Sequence, residues 1–212
     1  VSENYLFHAF AWFKYYALCK EFNKGMGEEM KAQQASAVLL AALCIPSLPK
    51  SADSSTAAKG GGNSRFDDSV MQEKMARMAT LLGFHTRNPT RENLLEEISS
   101  RGIFEQVPEY LKKLFYLLEH DSDPLVLVES AKPLLDQLSA DTGAADGSSA
   151  SSLAQYVNPL RSVLLLKLLW NLSSAYHTVR IDFLKGITDG LGLSFATVEK
   201  EIVLFTQTHQ GL

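Results

Sequence analysis

Apolar residues recur along most of this chain at spacings of three and four, the period of an amphipathic helix. From about Asn4 to Phe22 two such stripes coexist: Leu6, Phe10, Phe13 and Ala17 on one side, and Tyr5, Ala9, Trp12, Tyr16 and Cys19 on another. One stripe suffices for a surface helix. Two predict a helix packed on both sides, as in stacked helical repeats. The aromatic residues would also suit base stacking, but only Lys14 and Lys20 accompany them, and core packing is the reading adopted. A turn over Asn23 to Gly27 leads to a second helix, about Glu28 to Cys44, ended by Pro46 and Pro49. Its alanines (Ala32, Ala35, Ala37, Ala41, Ala42) permit close approach, so the two helices read as an antiparallel hairpin.

Four further helical segments are marked by their punctuation. Asp67 or Asp68 caps the first, which carries Val70, Met71, Met75, Met78 and Leu82 and stops at Gly83. Thr90 caps the second, with Leu94, Leu95 and Ile98 inward and Gly102 as the stop. Pro108 opens the third, lined by Leu111, Leu114, Phe115 and Leu118. Asp123 and Pro124 start the fourth, with Leu127, Val128, Ala131, Leu134, Leu135 and Leu138 on one face; Pro133 is expected to kink or divide it. A helix from about Asn158 to His177 is apolar nearly all round, broken mainly by Arg161 and Lys167, and is expected to be enclosed between two subdomains, with Trp170 buried.

The end of the chain changes character. Thr178 to Ile181 is short and β-prone. Asp182 is placed to cap a brief helix bearing Phe183, Leu184 and Ile187. Gly190–Leu191–Gly192 makes a turn, and Ser194 caps a last helix aligned by Phe195, Val198, Ile202 and Phe205. This is the order of a winged helix whose first strand lies near Val179 to Ile181 and whose two wing strands would lie beyond Leu212.

These elements predict a mainly all-α fold in which stacked helical hairpins lead into an incomplete winged helix. The expected division is a repeat region over 1–140, a flexible insertion over 141–152 and a connecting helix with the winged helix over 153–212. Inside the first part Lys50 to Ser64 is a Ser/Ala/Gly tract, read as a disordered insertion. Its Gly60–Gly61–Gly62 follows Lys59 rather than preceding a lysine, and no strand leads in, so it is not a phosphate loop.

Composition narrows the function. With 212 residues, 46% of them hydrophobic, the chain can bury a substantial core. A net charge of −4 lacks the basic excess of a chain devoted to nucleic acid. The longest apolar stretch, Ala35 to Ile45, falls short of the ~20 residues that span a bilayer, so no membrane role is expected. Cys19 and Cys44 sit in apolar helical runs and read as buried thiols of a reducing, cytoplasmic compartment. The chain opens on Val1 in helical pattern and is read as a piece of a longer polypeptide. The five histidines (His8, His85, His120, His177, His209) show no zinc-ligand spacing, and no CxxC or GxSxG occurs. No cofactor, metal, small-molecule substrate or enzymatic role is therefore expected.

Several stretches, in order, resemble the a-subunit of eukaryotic translation initiation factor three. They are Leu6–Phe7–His8–Ala9; Val38 to Pro46 with its Ile–Pro stop; Arg77–Met78–Ala79–Thr80–Leu81–Leu82–Gly83; and Leu117–Leu118–Glu119 followed by Pro124–Leu125. Gln155–Tyr156–Val157 and then Leu168–Leu169 through Tyr176 to Ile181 continue the series. The two insertions depart from the family, as does the lack of an aromatic residue near Ser122. The resemblance implies a PCI domain and a non-catalytic scaffold. Its partners would be other PCI and MPN subunits, above all the c-subunit, and the small ribosomal subunit, with a role in mRNA recruitment. The expected partner-binding residues are Tyr176, His177, Arg180, Phe195 and Ile202. Arg87, Arg91, Arg101, Lys112 and Lys113 would form a patch contacting rRNA. Two other readings compete. One is a PCI subunit of the proteasome lid or the COP9 signalosome, since one fold serves all three. The other is a DNA-binding winged helix, opposed by Glu199 and Glu201 against Lys200 on the last helix.

Overall fold

A computed structural model describes residues 4–23, 25–46, 73, 77, 80–81, 90–120, 123–143 and 151–208. The described residues form helices and no strand. In chain order these are α1 (Tyr5–Phe22), α2 (Glu28–Leu43), α3 (Arg91–Ser100), a 3-10 turn (Phe104–Gln106), α4 (Glu109–Glu119), α5 (Pro124–Gly143), α6 (Ser151–Ala154), α7 (Val157–Ala175), α8 (Ile181–Asp189) and α9 (Phe195–Thr208). The Lys50 to Ser64 insertion lies outside the described residues. So does most of the segment expected from Asp67 to Gly83, of which Glu73, Arg77, Thr80 and Leu81 are helical. The second insertion is narrower than expected, because α5 runs on to Gly143 and α6 begins at Ser151.

Capping side chains set the helix starts. The Asn4 Oδ1 accepts from Phe7 N at 3.0 Å, the Thr90 hydroxyl from Asn93 N at 3.2 Å, and the Ser194 hydroxyl from Thr197 N at 3.3 Å. Asp123 accepts from Leu125 N at 2.9 Å, just ahead of Pro124 at the first helical position. Gly102 closes the turn after α3 with φ +67°, a conformation that favours glycine. The expected cap at Asp182 is not used: α8 begins one residue earlier, at Ile181, and Asp182 lies in its first turn, where a carboxylate suits the helix dipole. Pro133 does not divide α5. It is exposed, so water can serve the carbonyl that lacks its helical donor.

The hairpin of α1 and α2 is present, and α2 is its inner member. Every residue from Ala35 to Leu43 is buried, because α2 meets α1, α3, α4, α6 and the 3-10 turn. Small Ala37, Ala41 and Ala42 let those neighbours come close. Helix α1 differs from expectation. Its core side is one stripe, Ala9, Phe10, Phe13 and Tyr16, drawn from both predicted stripes. The Tyr16 hydroxyl donates to Gln106 Oε1 at 2.8 Å, tying α1 to the 3-10 turn.

Helix α7 packs on α5 and α9 and is not enclosed all round. Val157, Leu160, Val163, Leu164, Leu165, Leu168 and Leu172 are buried, whereas Leu166, Leu169 and Trp170 are only half-buried. The expectation of a buried Trp170 is corrected accordingly. Lys167 is not a defect in the apolar pattern. Its Nζ donates to Leu117 O at 3.1 Å and Leu118 O at 2.5 Å, carbonyls at the C-terminal end of α4.

Two polar links to Tyr156 close the stack, one of them the Cys44 thiol donating to Tyr156 O at 3.8 Å. His8 Nε2 lies 2.9 Å from the Tyr156 hydroxyl, joining α1 to the start of α7. Burial lowers the His8 pKa from its ordinary 6.5. Cys44 is a buried free thiol pushed up to about 12 by burial, and Cys19 is half-buried and free.

Candidate interaction surface

The backbone leaves α7 at Tyr176 in an extended conformation (φ −131°, ψ 134°), with the Tyr176 N–H still donating to Leu172 O at 2.9 Å. It stays non-helical to Arg180 (φ −72°, ψ 137°) and enters α8 at Ile181. Residues 176–180 are all exposed. Among the described residues, His177, Thr178 and Val179 form no backbone hydrogen bond. The strand expected near Val179 to Ile181 is therefore corrected. The segment is partly extended but pairs with nothing, and a strand exists only as part of a ladder. Ile181 belongs to the helix instead.

An open concavity of about 560 Å³ lies against this segment, lined by Tyr176, Thr178, Val179, Arg180, Asp182 and Phe183. Apolar side chains are exposed along it: Val179 37%, Ile181 63% and Phe183 44%. Arg180 and Asp182 stand 4.0 Å apart and are both almost fully exposed, a pair that contributes little to stability in water.

Behind the segment, α8, the Gly190–Leu191–Gly192 turn and α9 make a helix–turn–helix. Gly192 has φ +65°, and Leu191 and Val198 are buried. Phe195 and Ile202 are half-buried against the core rather than presented outward. The Lys185 ammonium sits 4.6 Å from the centroid of the Phe195 ring, clasping α8 to α9. The outer side of α9 instead shows Val203 and Leu204, each more than half exposed. Of the expected contact residues, Tyr176, His177 and Arg180 are thus exposed, while Phe195 and Ile202 are half-buried against the core. Sequence reading missed Val179, Ile181 and Phe183 as exposed residues. Their signal was present: apolar 179, 181 and 183 alternate with polar 178, 180 and 182.

The described basic residues stand in different settings. Arg87 lies outside the described residues. Arg91 and Arg101 flank the two ends of α3, some 15 Å apart at 1.5 Å per residue. Arg91 is corrected from a surface contact to an internal strut. Its guanidinium pairs with Glu119, with side chains 11% and 20% exposed, and its Nε donates to Ile45 O at 3.1 Å. Arg101 pairs with Glu97 at 2.8 Å and lies 5.1 Å from the centroid of the Phe13 ring. Lys112 stands 3.8 Å from Glu109. Lys113 is exposed and has no ion pair among the described residues.

With the geometry in place, comparison with known proteins decides between the competing PCI assemblies. The family model described as "eIF3a, PCI domain, TPR-like region" matches residues 1–126. The chain belongs to the eIF3a family. Similar proteins include the a-subunit of eukaryotic translation initiation factor 3 from Arabidopsis thaliana, 34% identical over 94% of this chain and 20% of that protein. The corresponding protein of Mycosarcoma maydis is 36% identical over 86% of this chain and 17% of its own length. That of Neurospora crassa is 29% identical over 96% and 19%. The chain thus spans about a fifth of the length of the curated relatives it matches. The proteasome-lid and signalosome alternatives give way to this match. No helix among the described residues is long and apolar enough to cross a membrane.

Proposed function

We propose that this chain is a non-catalytic, cytoplasmic scaffold segment of the initiation factor, and that it binds a neighbouring PCI subunit, the c-subunit first, through the surface around residues 176–183. The observation carrying this reading is the exposed segment 176–180, with free backbone groups at 177–179 beside exposed Val179, Ile181 and Phe183. Unpaired N–H and C=O groups in an extended segment are a template for strand addition, and alternating apolar side chains give it a preferred register. Two sources can complete the sheet: wing strands of the same polypeptide, and through them the edge of the partner's sheet. Phe195 and Ile202 act by holding α9 under the segment. Support of binding to the small ribosomal subunit and of mRNA recruitment belongs to the same reading, with Arg101, Lys112 and Lys113 as the residues that would meet rRNA.

The test is capture of the c-subunit PCI region by the native polypeptide carrying Val179→Asp and Ile181→Asp. Both side chains are exposed, so stability should hold within about 0.5 kcal/mol. Capture should fall about tenfold or more, because each aspartate puts a charge into an apolar contact. Undiminished capture would sink the assignment. Duplex DNA serves as the discriminating ligand for the winged-helix alternative: sequence-selective binding at physiological salt would favour that reading over the scaffold.

A further inference from the structure

Where α1 turns into α2, a hollow of about 190 Å³ is lined by Tyr16, Lys20, Asn23, Met26, Lys31 and Gln106. None of these six is a carboxylate, and most of their polar groups are donors. The Tyr16 hydroxyl gives its proton to Gln106 Oε1 at 2.8 Å, which leaves the Gln106 carboxamide its two N–H donors. Lys31 uses one of its three N–H groups on Glu28 Oε1 at 2.8 Å. Among the described residues, the side chains of Lys20 and Asn23 form no ion pair or hydrogen bond. Met26, only 7% exposed, adds an apolar wall beside which charge is less screened than in open water. A second concavity, of about 360 Å³, shares Tyr16 and Lys20 with the first. Ala17 and Ile103 are its apolar lining, and Glu21 and Arg101 complete it.

We infer that these two concavities receive a short acidic segment of a partner protein, with one Asp or Glu carboxylate in the smaller and a neighbouring apolar side chain in the larger. Donor chemistry selects the charge: two ammonium groups and two carboxamides, with no carboxylate among them, suit an anion held by charge-assisted hydrogen bonds. Size selects the group. Pockets that take a whole small molecule begin at about 300 Å³, so the smaller hollow admits the end of a side chain. The surrounding charge selects peptide over nucleic acid. Glu28 pairs with Lys31, and Glu21 lines the larger concavity beside Lys20, so two carboxylates stand against two lysines. A single seated carboxylate meets the donors alone. A run of phosphates would also meet Glu21 and Glu28, without the clustered cations that nucleic acid needs. None of these residues belongs to the surface around residues 176–183, so the two sites are testable apart.

The probes are fluorescein-labelled synthetic peptides carrying one glutamate beside leucine, isoleucine or phenylalanine, each matched by a peptide with glutamine in place of the glutamate. Fluorescence anisotropy reads their binding to the native full-length polypeptide in its own complex. At least one glutamate peptide should bind about tenfold more tightly than its glutamine match, the difference made by hydrogen bonds to a charged acceptor. Lys20→Met should abolish that preference. Lys20 is exposed, and methionine keeps much of its apolar stem, so the fold should hold. Gln106→Glu still accepts from Tyr16 but replaces the amide donors with a negative oxygen, and should abolish the preference as well. Lys14→Met, at an exposed lysine of α1 that lines neither concavity, should leave it intact. Equal binding within every matched pair would overturn the assignment, and so would a preference that survives either Lys20→Met or Gln106→Glu. Displacement of the glutamate peptide by a single-stranded oligouridylate, lost in Lys20→Met, would give the hollow to RNA and overturn it equally.

Discussion

Replacing Lys167 by methionine tests whether the one strongly polar residue in the middle of α7 is structural. Methionine preserves the length and much of the apolar stem, so packing against α4 and α5 is largely kept. What disappears is the ammonium that bridges Leu117 O at 3.1 Å and Leu118 O at 2.5 Å. Those carbonyls belong to the last turn of α4, where no helical N–H follows to serve them, and a cation there also opposes the negative end of the helix dipole. A hydrogen bond from a charged donor is worth about 1.5–3 kcal/mol, and the two bonds share one ammonium. The loss is therefore set at roughly 1.5–3 kcal/mol. For a chain of this size that lowers Tm by roughly 3–12 °C. Urea unfolding followed by far-ultraviolet circular dichroism measures the free energy, and a thermal scan the midpoint. Lys113→Met is the matched control: Lys113 is exposed and forms no ion pair among the described residues, and its loss should stay within about 0.5 kcal/mol. If Lys167→Met were as neutral as the control, the reasoning that α7 and α4 are joined through this ammonium would be refuted.

Trp170→Ala should cost roughly 1–2 kcal/mol in the same assay, less than a fully buried tryptophan would, because its ring is only half-buried in α7. Gly190→Ala should destabilise by about 1–3 kcal/mol, since an added Cβ would stand 2.7 Å from Val128 Cγ1 and force α8 away from α5. Acid should weaken the link between His8 and Tyr156. The folded pKa of His8 lies below its ordinary 6.5, so its contribution to stability is complete above 6.5 and is lost as pH falls through the lowered value. Titration of stability from pH 7.5 to 5 in the native protein and in His8→Gln should show a smaller loss in the variant; parallel curves would remove His8 from the acid response.

The parts of this fold that were legible in sequence are those decided within a few residues. Thr90, Asp123 with Pro124, and Ser194 mark helix starts because a short polar side chain reaches an orphan N–H two or three residues on. Gly102 and Gly192 mark turns because only a residue without Cβ enters positive φ freely. What periodicity could not supply was the identity of the neighbour. In α1 it showed apolar residues on several sides without saying which side meets α2. In α7 it suggested full enclosure, but enclosure falls to α2, whose alanines admit neighbours on every side. Arg91 is the sharpest case. Its carboxylate partner is Glu119, which lies 28 residues away and has no sequence spacing to betray it. An arginine that reads as available for phosphate is held inside the stack.

The interaction surface divides along the same line, and that division makes its residues separable by experiment. The alternation of residues 178 to 183 is a strand pattern, yet the chain forms no strand there, because pairing is a property of two segments and this one has no partner among the described residues. Tyr176, His177 and Arg180 are exposed on that segment, whereas Phe195 shares with Val198 and Ile202 the inner face of α9, the three lying at spacings of three and four. A substitution at Phe195 or Ile202 must therefore act through stability: apolar area leaves the core, α9 loosens, and partner binding weakens only as the helix–turn–helix does. A substitution at Val179 or Ile181 removes little apolar area from the core, so its effect should fall mainly on association. Binding by strand addition thus requires the two classes to move different observables, Tm for the inner pair and partner affinity at constant Tm for the outer pair. A partner seated elsewhere, on the helical repeats, would leave its affinity indifferent to Val179 and Ile181.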